Sequence, residues 1–78
     1  MSNNKKYKEV FLEAFQVDEG SLDGLEYNSI SDWDSVGHMG LIAGLEEAFD
    51  IMLEMDDIIE FSSYTKGSEI LAKYQIEV

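Results

Sequence analysis

Cysteine, proline and arginine are all absent from this 78-residue chain, and histidine and tryptophan occur once each. Without cysteine there are no disulfides, no thiolate metal ligands and no cysteine nucleophile. A single histidine and no arginine exclude a zinc site of the usual kind and a bidentate guanidinium clamp for anions. Without proline nothing sharply breaks a helix, so turns fall to Gly, Asn, Asp and Ser. Positive charge is scarce and confined to the ends, at Lys5, Lys6, Lys8, Lys66 and Lys73. Residues 9–65 hold seven Asp and eight Glu with no Lys, and the whole chain carries a net charge of −12. Such a chain repels a phosphate backbone and anionic lipid surfaces, which argues against nucleic-acid and membrane-surface partners. Its partners should present basic patches. No apolar run approaches the ~20 residues of a membrane span. Met1-Ser2-Asn3-Asn4 leads into lysines rather than an apolar signal core, so the expected location is the cytoplasm.

What is present suffices for a small core. Apolar residues make up 45% of the chain and aromatic residues 12%, unlike a disordered composition. One domain over residues 1–78 is expected, and a chain of this size buries only about 60% of its unfolded surface. Tyr7, Val10, Phe11, Ala14 and Phe15 follow helical spacing, with Asn3 or Asn4 as a cap. Residues 17–34 read as a long loop, rich in Gly, Ser, Asp and Asn and pinned by Leu22, Leu25, Tyr27 and Ile30. Loops this long in small domains tend to be functional. A second helix should start at Asp34-Ser35, with Met39, Ile42, Leu45 and Phe49 as its core stripe and Glu46, Glu47 and Asp50 on its wet side. A short helix over Asp56–Phe61 and a last helix capped by Ser63 follow, the latter with Tyr64, Gly67, Leu71 and Tyr74 on one face. Period-two patterning appears only at Tyr74–Val78, too short for a sheet. The expected fold is all-α: a bundle of three main helices and one short one, with a long first connection. The methionines Met39, Met52 and Met55 and the phenylalanines read as a core, soft because thioethers are deformable.

Three chemistries compete at the start of the second helix. Ser35 and His38, three apart, could form a nucleophile pair, but nothing orients the histidine and so small a bundle has little room for a cleft. His38 reads better as a surface or rim residue. Asp32-Trp33-Asp34-Ser35-Val36-Gly37 opens like a calcium loop, yet Val36 and Ala43 stand where ligands are needed, so no metal is expected. The plainest role for Ser35 is that of an N-cap. The same position also suits an anionic modification, because free amides and the positive end of the helix dipole lie beside it.

The run from Ser31-Asp32-Trp33-Asp34-Ser35-Val36 through Leu45-Glu46-Glu47-Ala48-Phe49-Asp50 to Ser62-Ser63-Tyr64 resembles the acyl carrier protein family. With the first helix and long loop, the resemblance covers nearly the whole chain. The family pattern is Asp-Ser-Leu followed by an amphipathic helix bearing Leu-Glu-Glu-x-Phe, and Val36 here replaces the leucine. The resemblance implies an acyl-carrier-like four-helix bundle with Ser35 as the attachment point of 4′-phosphopantetheine, flanked by Asp34 and Val36. It implies that a magnesium-dependent phosphopantetheinyl transferase installs the arm and that the arm's thiol holds acyl groups as thioesters. Glu46, Glu47 and Asp50, with Asp34, would meet basic patches on acyl- or aminoacyl-ligases, acyltransferases and synthases. Phe11, Ile42, Phe49 and Leu71 would line an acyl pocket. The carrier would itself catalyse nothing and would act as a monomer.

Carriers of bacterial fatty-acid synthesis usually bear acids two and five residues after the serine, where this chain has Gly37 and Gly40, with Gly44 one turn on. A mid-helix glycine costs about 0.5–1 kcal/mol relative to alanine, so three of them suggest close approach by a partner or a pliable helix. A specialised carrier is therefore expected, serving a pathway such as surface-polysaccharide or secondary-metabolite acyl transfer. The alternatives are an aminoacyl carrier loaded by an adenylating ligase and an unmodified acidic adaptor in which Ser35 only caps.

Overall fold

The computed structural model describes residues 3–78. It is all-α: α1 spans Asn3–Phe15, a 3-10 helix Glu19–Gly24, α2 Ser35–Phe49, α3 Met55–Glu60 and α4 Tyr64–Ala72. No strand occurs among the described residues, and a single bridge joins Glu26 to Ser63. The connection between α1 and α2 is pinned by Leu22 and Leu25, both buried, as expected, but it is not all loop: about two turns of 3-10 helix carry Leu22 and end at Leu25. A proposed cap falls away too: Asn3 and Asn4 lie inside α1, and what precedes them is outside the described residues. Ser63 caps α4 as its sequence position predicts, accepting from the Lys66 amide at 2.9 Å.

Phe11 is the hub of the core. Its ring meets those of Tyr7, Phe15, Trp33, Phe61 and Tyr64, at centroid distances from 4.9 to 6.2 Å. Tyr7, Phe11 and Phe15, four apart on α1, are fully buried, while Ala14 at the edge of the predicted stripe faces water. Leu41, Ile42 and Leu45 close the core from α2, and Ile70 and Leu71 from α4. The methionine expectation is overturned: Met39, Met52 and Met55 are 57%, 86% and 74% exposed. At 3.6 residues per turn Met39 lies roughly a third of a turn round from the Leu41–Leu45 face. The core is therefore built of aromatic and aliphatic side chains rather than thioethers.

Two polar pins hold the periphery. The Tyr7 hydroxyl donates to the Tyr64 carbonyl at 2.6 Å, and burial raises its pKa well above the usual tyrosine range. Asp57, buried on α3, accepts from Lys73 and from the Tyr74 hydroxyl, tying α3 to the end of α4. Those hydrogen bonds, Lys73's first, hold the Asp57 carboxyl below the ordinary aspartate value.

Candidate functional site

The N-terminus of α2 is built by Asp34, not by Ser35. The Asp34 backbone is extended, its Oδ1 accepts from the Gly37 amide at 2.8 Å, and its carbonyl accepts from the His38 amide at 2.8 Å. The side chain thereby satisfies one of the four orphan amides of the first turn, and the carbonyl accepts the first bond of the helical ladder. Ser35 becomes the first helical residue, exposed, with a hydroxyl that makes no hydrogen bond. The capping role that would have accounted for its hydroxyl is already filled. The neighbouring amides of Ser35 and Val36 are also without protein partners, and Val36 is 81% exposed.

What fixes the loop against α2 is His38, which the sequence had placed on the rim. Trp33 is fully buried and its indole N–H needs an acceptor; His38 Nδ1 supplies one at 3.0 Å. The ring's other nitrogen then carries the proton, and Nε2–H donates to the Ile58 carbonyl of α3 at 2.7 Å. The imidazole lies nearly parallel to the indole, 16° between planes, and meets Phe61 edge-on at 6.2 Å. One half-buried side chain thus ties loop, α2 and α3 together. With both nitrogens engaged, none is left to activate Ser35, and the nucleophile pair has no geometry.

Gly37 has an equally local reason. A Cβ there would run into the Asp32 carbonyl oxygen and crowd the capping carboxylate, so only glycine lets the loop fold back onto the first turn. The close approach expected from a partner is made by the chain's own loop. Gly40 has open space where its Cβ would be.

Beside Ser35, between the loop, α2 and α3, a cavity of about 360 Å³ opens. Tyr27, His38, Met39, Ile58, Ile59 and Phe61 line it together with Ser35 and Ser62. Of the residues proposed for an acyl pocket, Phe11, Ile42 and Leu71 are fully packed in the core and Phe49 is half-buried; none of the four lines this cavity. The proposed docking acids are distributed unevenly. Glu47 and Asp50 are exposed, Asp50 in the left-handed conformation that ends α2. Glu46 is half-buried and spends Oε2 on the Leu53 amide at 2.9 Å, bracing the α2–α3 connection. Signals for His38 existed in the sequence, namely one tryptophan with a donor to satisfy and one histidine five residues later, but the pairing depends on the bend between them.

Among the described residues no three of His, Cys, Asp and Glu converge in a group able to hold a metal ion, and no helix is long and apolar enough to cross a membrane. No family model matches the chain, and no curated protein matches it.

Proposed function

We propose that the chain is a phosphopantetheine-dependent acyl carrier and that Ser35 bears the prosthetic arm. The observation that carries this reading is the state of the Ser35 hydroxyl: exposed, without a hydrogen bond, and relieved of capping by Asp34. The residues fit a phosphodiester there. The unpartnered amides of Ser35 and Val36 lie at the positive end of a 15-residue helix, which favours an anion despite the carboxylate of Asp34. The resemblance over Ser31–Tyr74 supports the same assignment.

Attachment exchanges the Ser35 O–H for an Oγ–P bond, the nucleotide half of coenzyme A leaving, in a partner transferase that uses magnesium. When bound, the arm supplies a thiol that holds acyl groups as thioesters, chemistry that a chain without cysteine cannot perform alone. The chain's own part is to present Ser35 on a capped, latched helix end and to offer carboxylates, Glu47 and Asp50 foremost, to basic patches on ligases, acyltransferases and synthases. It acts as a monomeric cytoplasmic carrier in a specialised pathway and catalyses no step itself.

Intact mass after incubation with coenzyme A, magnesium and a promiscuous phosphopantetheinyl transferase tests the reading. One phosphopantetheine on the natural chain and none on Ser35→Ala is the expected result. No addition to a chain with a helical far-UV spectrum would refute it and leave an acidic adaptor.

A further inference from the structure

We infer that His38 is a proton-operated latch: neutral, it locks the loop onto the first turn of α2, and protonated, it releases Trp33 and with it the turn that carries Ser35. The switch belongs to the fold, while its bearing on arm attachment rests on the carrier reading. The latch works in one protonation state only. The indole nitrogen of Trp33 donates and cannot accept, so its 3.0 Å contact requires a lone pair on His38 Nδ1. The Ile58 carbonyl only accepts, so its 2.7 Å contact requires a proton on Nε2. Imidazolium carries a proton on both nitrogens. It keeps the Ile58 bond but sets N–H against N–H at Trp33. The fully buried indole makes no other hydrogen bond among the described residues, and stranding its donor is costly enough to displace the ring.

Little slack separates that displacement from Ser35. Trp33 is held in a turn, its amide donating to the Ile30 carbonyl at 3.2 Å and its carbonyl accepting from the Asn28 amide at 2.9 Å. The next residue is Asp34, whose carboxylate caps Gly37. Gly37 leaves no room for adjustment, since even a Cβ there would meet the Asp32 carbonyl. Moving Trp33 therefore draws on the Asp34 cap, and the turn that begins with Ser35 loosens. Few charged groups surround the imidazole. Tyr27 of the loop meets it edge-on at 5.6 Å. On α2, Asp34 lies one turn back with its carboxylate on the Gly37 amide. On α3, Asp57 beside Ile58 is taken by Lys73 and Tyr74, and Asp56 and Glu60 line a different hollow with them. Phe61 and Ser62, past α3, are uncharged. Among the described residues no carboxylate forms an ion pair with the imidazole. Histidine is the side chain that ordinarily changes charge between about pH 5 and 8, and this chain has one.

The test uses the unmodified chain, labelled with nitrogen-15 and free of any histidine tag, across that pH range. The imidazole ring protons, the Trp33 indole N–H and the Gly37 amide are followed together. All three should titrate with one midpoint, the indole proton moving upfield as its hydrogen bond is lost. His38→Asn offers an amide oxygen in place of Nδ1 and cannot titrate, so its indole resonance should stay at the latched position throughout. His38→Phe offers no acceptor and should hold that resonance at the released position at every pH. An indole resonance that stays fixed while the imidazole titrates would overturn the inference, as would one that moves equally in His38→Asn. A Gly37 amide that does not follow the indole would overturn the link to the Ser35 turn. If neither variant folds, the three resonances of the natural chain decide. Arm attachment is then timed at both ends of the range, natural chain against His38→Asn, so that the transferase's own pH dependence cancels. The ratio of natural to variant rate should fall several-fold on acidification, and a constant ratio overturns the link to Ser35. No arm on either chain refutes the carrier reading, and the titration by itself then decides the latch.

Discussion

Alanine placed in turn at Gly37, Gly40 and Gly44 should change stability in three different ways, although all three glycines sit in one helix within two turns. None has a left-handed backbone, so alanine can adopt each conformation and gains about 1 kcal/mol of helix preference. At Gly40 nothing lies within 4 Å of the added methyl, and that gain should appear whole. For a domain of this size it raises the thermal midpoint by about 4–8 °C. At Gly44 the methyl would stand 3.1 Å from Val10 Cγ1, a contact that a small shift of the half-buried valine relieves, so gain and loss should nearly cancel. At Gly37 the obstacle is a backbone carbonyl, Asp32 O, which cannot rotate away, and the Asp34 cap sits beside it. Overpacking of this kind costs about 1–3 kcal/mol and outweighs the helix preference. Urea denaturation with a common slope separates the three, and because the helix preference is common to both, Gly40→Ala and Gly37→Ala should differ by about 1–3 kcal/mol. A Gly37→Ala chain as stable as Gly40→Ala would refute the assignment of Gly37 to loop closure.

Ser35→Ala should leave stability within about 0.5 kcal/mol of the natural chain while Asp34→Ala costs about 1 kcal/mol, and the reverse order in chemical denaturation would restore Ser35 as the cap. His38→Phe keeps a ring against Trp33 but strands its indole N–H, for about 1–3 kcal/mol; a loss near zero by the same measurement would mean that the N–H finds another acceptor. The Asp57 pin makes stability pH-dependent in a defined direction. Because its folded pKa is depressed, its contribution is complete above the ordinary aspartate value and is lost as pH falls through the lower folded value. Lys73, raised chiefly by the same hydrogen bond, contributes fully below the ordinary lysine value and loses that contribution as pH rises through its raised one. Asp57→Asn should flatten the acid limb of a midpoint-against-pH curve, and an unchanged limb would remove Asp57 from the account.

Much of the fold is legible because it depends on neighbours close in sequence. The spacing of Tyr7, Phe11 and Phe15, the cap at Ser63, and the acids opening the short helix each involve residues within two turns of one another. Ser35 is legible for the same reason, as the residue beside a helix start in a recognisable run. The sequence by itself therefore determines an all-α bundle, its helix order, its acidity and the place of Ser35 at a helix start. Tertiary structure decides how far round each helix the cover reaches, and with what. Met39 and Ile42 are both apolar and both on the predicted stripe, yet Ile42 is buried in the core and Met39 is left in water. His38 becomes a latch because the loop brings Trp33 onto one nitrogen and α3 brings Ile58, twenty residues away, onto the other. The cavity beside Ser35 exists because three elements meet there without filling the space between them, and helical periodicity carries no information about a gap between separate elements.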